Sequence, residues 1–138
     1  MTFMRIVSAV VAALLLFSGV ASATPSRGVT AREIAKWSVG DRDYVVREIT
    51  VAPGGSTGWH HHDGTLYAVV KKGVLTRTMS DCTTNFVHHR GDALIEEPHH
   101  VHIGRNLGTE PMVLQVVYVN PAGTPLSRDE PNPGCSFE

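Results

Sequence analysis

Gly54-Gly55-Ser56-Thr57-Gly58-Trp59-His60-His61-His62-Asp63-Gly64 is the stretch on which the reading of the fold turns. A glycine-rich turn runs into three consecutive histidines, and an apolar, partly β-branched segment, Leu66-Tyr67-Ala68-Val69-Val70, follows at once. On an extended strand residues i and i+2 project from one face, so His60 and His62 share a side while His61 points away. Downstream, Glu97-Pro98-His99-His100-Val101-His102 is a second histidine-rich segment, so six of the eight histidines lie in two short stretches. Neutral imidazole is the commonest metal ligand. Two such segments facing each other would make a metal site.

The flanking chain is punctuated like a small all-β domain. Tyr44 to Val51 is β-branched and apolar, a strand by propensity, with Pro53-Gly54-Gly55 expected to end it. Leu66 to Val70 and Val74 to Met79 flank Lys71-Lys72-Gly73, which reads as a hairpin turn. Asp81 to Asn85 and Arg90-Gly91-Asp92 are further turns, with Phe86-Val87 extended between them and Ala93-Leu94-Ile95 after the second. His100 to Ile103 is short and extended. Met112 to Val119 is apolar almost throughout, which implies burial on both faces and a hydrogen-bond partner for Gln115. Thr30 to Trp37 fits either a helical turn or an edge strand. Beyond Pro121 prolines and glycines dominate, so an irregular tail is expected. Short strands with evenly spaced turns and no convincing helix describe an all-β sandwich or barrel.

The motif spacing resembles the cupin family. Gly54-x5-His60-x-His62, with Gly73 eleven residues after His62, is similar to the first cupin motif. Gly91, His102 eleven residues on, and Asn106 are similar to the second, with Pro98 one position late. Two motifs in order are more specific than either alone. The resemblance spans roughly Tyr44 to Val119. It implies a double-stranded β-helix (jelly-roll) barrel with His60, His62 and His102 as metal ligands inside it. The first cupin motif also supplies a glutamate three or four residues after its second histidine. Leu66 and Tyr67 stand there, so a site without a carboxylate is expected. Three neutral imidazoles alone suit Zn, Fe, Cu or Ni better than Mn or Mg. His100 shares parity with His102 and is the candidate acid/base or additional ligand. His61, His99, His88 and His89 read as surface residues, and Trp59 and Tyr67 as core or rim.

Met1 to Arg5 is positively charged, Ile6 to Phe17 is apolar, and Ala21-Ser22-Ala23 is a small-x-small cleavage pattern. These are the parts of a secretory signal peptide cut after Ala23, and the apolar run is short for a membrane span. The expected organisation is a signal peptide (1–23), an N-terminal arm (24–43), the barrel (44–120) and a tail (121–138), in a secreted or periplasmic protein. Export permits a disulfide, and Cys82 and Cys135 are the sole pair available. A net charge of −1, with no basic cluster, gives no reason to invoke nucleic acid or, after cleavage, a membrane. The partner expected is a small-molecule ligand or substrate. A homodimer is neither indicated nor excluded. Metal-dependent isomerase, lyase or dioxygenase chemistry is what the resemblance implies, with a non-catalytic metal or ligand-binding module as the rival.

Overall fold

The computed structural model describes residues 21–138; the expected signal peptide lies, but for its last three residues, outside them. The described residues contain no helix and form ten strands in one continuous sheet. They are β1 (Arg27–Val39), β2 (Arg42–Ser56), β3 (His60–His61), β4 (Thr65–Lys72), β5 (Val74–Met79), β6 (Asn85–His89), β7 (Ala93–Glu96), β8 (His102–Arg105), β9 (Met112–Pro121) and β10 (Arg128–Asp129). The sheet folds into two leaves, β1-β2-β9-β4-β7 and β10-β3-β8-β5-β6, joined where Ser56 of β2 pairs with Arg105 of β8. All pairings are antiparallel. The result is a nearly closed barrel of the double-stranded β-helix kind.

Alternation along the strands builds the core. Val45 and Val51 of β2, Leu66, Ala68 and Val70 of β4, Leu94 of β7, and Met112, Leu114, Val116 and Tyr118 of β9 all turn inward and are buried. Each large apolar side chain so removed from water contributes roughly 1.5–3 kcal/mol against the entropy of ordering the chain. β9 is buried on one face only: its outward residues are half-buried or exposed, and Gln115 is exposed, so it needs no protein partner. An apolar run alone does not distinguish a strand covered on both faces from one whose outer face is merely apolar.

Three other expectations are corrected, and the open choice over the N-terminal arm is decided. Pro53-Gly54-Gly55 does not end the second strand. Gly54 adopts φ 75° and donates its N–H to Asn106 O at 2.9 Å, so the segment bulges and β2 runs on to Ser56. Lys71-Lys72-Gly73 is not a hairpin turn, because β4 pairs with β7 and β9 whereas β5 pairs with β6 and β8. At Gly73 (φ 72°) the chain crosses between leaves. A side chain there would meet Pro111 O at 2.9 Å and Met112 Cα at 3.0 Å. The arm before Tyr44 resolves as β1, an edge strand that is exposed along its length except at Val29 and pairs with β2 from Val39 to Arg27. The tail is not wholly irregular, since β10 pairs with β3, and Cys135 is bridged to Cys82 with Cα atoms 5.4 Å apart.

Candidate metal centre

The segment that carries the histidines is pinned from both sides. Gly58 (φ 70°) packs so closely on Thr24 that an added Cβ would lie 2.4 Å from Thr24 O. Thr24 Oγ1 accepts the N–H of Trp59 at 2.7 Å, and Trp59 itself is fully buried. The Trp59 ring stacks on Phe137 of the tail, whose ring lies 3.8 Å from the Arg105 guanidinium. With the backbone so held, β3 presents His60 inward, directly across from His102 of β8. His62 follows on the same side.

The three rings meet inside the barrel. Centroid separations are 4.4 Å for His60–His102, 4.9 Å for His60–His62 and 5.5 Å for His62–His102, and all three residues are buried. Each ring uses Nδ1 toward a backbone carbonyl: His60 to Gly58 O at 2.9 Å, His62 to Leu126 O at 2.7 Å, His102 to His100 O at 2.8 Å. A carbonyl only accepts, so each Nδ1 carries the proton and each Nε2 faces the interior. This is the outer hydrogen bonding that orients metal-ligating histidines.

A fourth donor completes the set, and the expectation of a site without a carboxylate is thereby corrected. Glu96, at the end of β7, places Oε2 3.0 Å from both His62 Nε2 and His102 Nε2. Its other oxygen lies 3.6 Å from Nη1 of the buried Arg77, which also donates to Ile95 O at 3.1 Å. Burial pushes the Glu96 carboxyl up, but the adjoining His102 and His62 imidazoles outweigh it and hold the group well below the usual carboxylate range, so it stands as an anion. Burial, with repulsion from His102 and His62, holds His60 down to about 3. The carboxylate absent from the first motif is thus supplied to the cluster by another strand. The signal was present: Leu94 and Glu96 share parity, and Leu94 is an inward core residue.

The donor set fits a metal ion. One ligand atom from each of His60, His62, Glu96 and His102 lies within 4.8 Å of the others. His102 Nε2 is buried and lacks a hydrogen bond, although it faces a carboxylate oxygen. A ring whose proton sits on Nδ1 turns a lone pair toward that oxygen, an arrangement a cation between them relieves. With a carboxylate present, the argument against Mn that rested on imidazoles alone no longer holds.

His100, the candidate acid/base, does not join this cluster. It is exposed, gives its carbonyl to His102, and lines a separate depression with Arg77, Phe86 and Glu97 that reaches Glu96 and His102 from the side. His61 points away from the barrel interior, as expected, His99 is exposed, and His88 and His89 lie on β6 away from the centre. Tyr67 is exposed on the outer face of β4. Against the three histidines and Glu96 lies a cavity of about 100 Å³ walled by Leu66, Ala68, Leu75, Leu94, Leu114 and Val116. Tyr118 also faces it, 5.7 Å from the His62 ring, and burial pushes its phenol up to about 12.

An all-β barrel whose interior gathers three histidines and a glutamate belongs to the class of small barrels with a donor set that could hold a metal ion. The chain belongs to the cupins: the family model described as "Cupin domain" matches residues 47–118. Solved structures agree on the fold. The polyketide cyclase RemF from Streptomyces resistomycificus is 22% identical with a TM-score of 0.63, over 82% of this chain and 84% of the cyclase. A cupin-like protein from Thermotoga maritima is 16% identical with a TM-score of 0.62, over 75% and 77%. An uncharacterised double-stranded β-helix protein from Klebsiella pneumoniae is 23% identical with a TM-score of 0.56, over 78% and 89%. At such identities the likeness concerns the fold alone. None of the curated proteins compared with the chain matches it.

Proposed function

We propose that this cupin is exported and uses His60, His62, Glu96 and His102 to hold one divalent transition ion at the floor of a pocket for a small, largely apolar molecule. The observation that carries the reading is the common tautomer of the three rings, each Nδ1 committed to a backbone carbonyl and each Nε2 left for the ion. Export is supported by the signal-like N-terminus and by the Cys82–Cys135 disulfide. Thr24, the first residue after the proposed cleavage point, is already tied into the body through its N–H and hydroxyl.

When bound, the ion supplies Lewis acidity toward a carbonyl or enol oxygen, the chemistry of isomerases, lyases and, with a redox metal, dioxygenases. The chain's own contribution is shape and orientation. The aliphatic walls exclude water and select apolar ligand surface over polyols. Arg77 faces the second oxygen of Glu96 at 3.6 Å and favours its anionic form. Tyr118, kept protonated at neutral pH, is a hydrogen-bond donor to a ligand oxygen in the cavity. RemF is a polyketide cyclase, and a hydrophobic ketone or enol is the ligand class this cavity suits best.

A second reading, capture without turnover, is favoured by one observation: the titratable groups lining the cavity are the four candidate ligands and Tyr118, with no free base among them. Elemental analysis of protein recovered from its native compartment tests the shared premise, with one equivalent of a transition metal expected. Turnover or oxygen uptake by the metal-loaded protein across hydrophobic ketones and enols, abolished in His62→Ala, supports the enzyme. Tight metal and ligand uptake without turnover supports capture. A metal content at background that His60→Ala leaves unchanged would sink both.

A further inference from the structure

The tetrapeptide that supplies two inward histidines also presents an outward face, and that face carries a second set of donors. We propose that His61, Asp63 and His99 form a separate, solvent-facing site for a divalent ion of borderline character such as Zn²⁺. One ligand atom from each of the three lies within 4.8 Å of the others. His61 Nδ1 is 2.7 Å from Glu130 Oε1 of the tail, so that nitrogen carries the proton and Nε2 is directed to the cluster, 3.7 Å from Asp63 Oδ1. Two ligands on one tetrahedral zinc stand roughly 3.4 Å apart, given bonds of about 2.0–2.1 Å, so the pair needs little movement to close on an ion.

The third ligand comes from the turn before β8. His99 holds a left-handed backbone (φ 65°) that few side chains adopt, and its N–H donates to His62 O at 2.8 Å. That bond brings the His99 ring within 5.9 Å, centroid to centroid, of the His61 ring. Two imidazoles and one carboxylate are a donor set suited to zinc, copper or nickel, with water filling the remaining positions. A carboxylate behind a ligating histidine is the usual arrangement for orienting it and raising its basicity, and Glu130 stands in that position. The Arg128 guanidinium opposes the ion. Its Nε donates to both Asp63 oxygens at 3.0 and 2.8 Å and must share that carboxylate or release it. A carboxylate has about four lone-pair directions, so sharing is feasible and costs affinity.

The outer site stands independently of the buried centre, and stoichiometry separates the two. Untagged, disulfide-bonded protein freed of metal is titrated with Zn²⁺ by calorimetry and equilibrium dialysis. Two equivalents are expected, the second weaker. His99→Asn, a replacement that tolerates the left-handed backbone, should weaken the second equivalent by at least about 10-fold and spare the first. His102→Gln should remove the buried equivalent and leave the outer one. Arg128→Gln should tighten the outer equivalent about 10-fold by freeing Asp63, a change that a passive ion-pair network would not show. A single equivalent lost in His99→Asn and kept in His102→Gln would retain the outer site while refuting the buried one. Binding that is identical in wild type, His99→Asn and Arg128→Gln would overturn the proposal.

Discussion

The two faces of His60-His61-His62-Asp63 use the same residue types and differ in what stands behind them. On the inner face the rings are braced by main-chain carbonyls of Gly58, Leu126 and His100, and solvent is excluded. On the outer face His61 is braced by the side chain of Glu130, Asp63 is shared with Arg128, and His99 is exposed. A main-chain carbonyl moves only when its stretch of chain moves, whereas a glutamate side chain can change rotamer in nanoseconds. Strand alternation therefore places ligands on both faces, and the rigidity of their supports decides which face is preorganised. On the proposed reading the inner face would hold an ion and the outer one would exchange it.

Both faces depend on the tail, through Leu126 O inside and Glu130 outside, so releasing the tail is the most severe way to break the comparison. The Cys82–Cys135 bridge closes a loop with a sequence separation of 53. Chain-entropy arguments assign such a bridge about 4 kcal/mol. Reduction, or the double change Cys82→Ser/Cys135→Ser, should lower the melting temperature by on the order of 15 °C and weaken both faces together. A melting curve indifferent to reductant would contradict this. Next in size is Glu96→Gln, which keeps the volume and an oxygen for Arg77 but removes the anion. Metal affinity of the inner face should fall at least about 100-fold in equilibrium dialysis while the outer face is unmoved. The mirror experiment is Glu130→Ala, expected to cost the outer face about 10-fold and the inner face nothing. Equal losses on both faces in either variant would mean the two are one coupled site.

How much of this was legible beforehand follows from what each signal encodes. Parity within a strand is local, so the inward pair His60/His62 and the outward His61 were readable from the chain alone. Turn residues are local too, and the all-β class followed from their spacing. Pairing partners are not local: Lys71-Lys72-Gly73 has the composition of a hairpin, yet β4 and β5 lie in different leaves, and Gly73 packs closely on Met112 where the chain crosses. Glu96 is easily passed over because the apolar Ala93-Leu94-Ile95 stops just short of it, although its inward parity with Leu94 is visible in the sequence. The role of Leu126 was not readable at all. A backbone carbonyl has no sequence signature, and its meeting with His62 depends on the tail's path across 64 residues.

The smallest effect expected tests the tail's anchor rather than either face. Cys82 sits with φ 65° in the β5–β6 turn, next to Asp81, which organises that turn. Asp81 Oδ1 accepts the N–H groups of Thr83 and Thr84 at 3.0 and 2.8 Å, and Oδ2 accepts the Thr84 hydroxyl. The Thr84 hydroxyl, then the backbone N–H groups of Thr84 and Thr83, hold the exposed Asp81 carboxyl down to about 2. A carboxylate whose pKa is lower folded than unfolded stabilises the fold fully above its unfolded value of about 3.9. That contribution fades as pH falls through about 2. Asp81→Asn removes the charge-assisted acceptance while other acids, Asp43 among them, titrate alike in both proteins and cancel in the difference. The stability gap between wild type and variant, read from denaturant midpoints, should therefore be constant from neutral pH to about 5 and narrow steadily below it. A gap that widens toward acid would mean that Asp81 is not the group steadying the turn from which the tail, and with it both histidine faces, is hung.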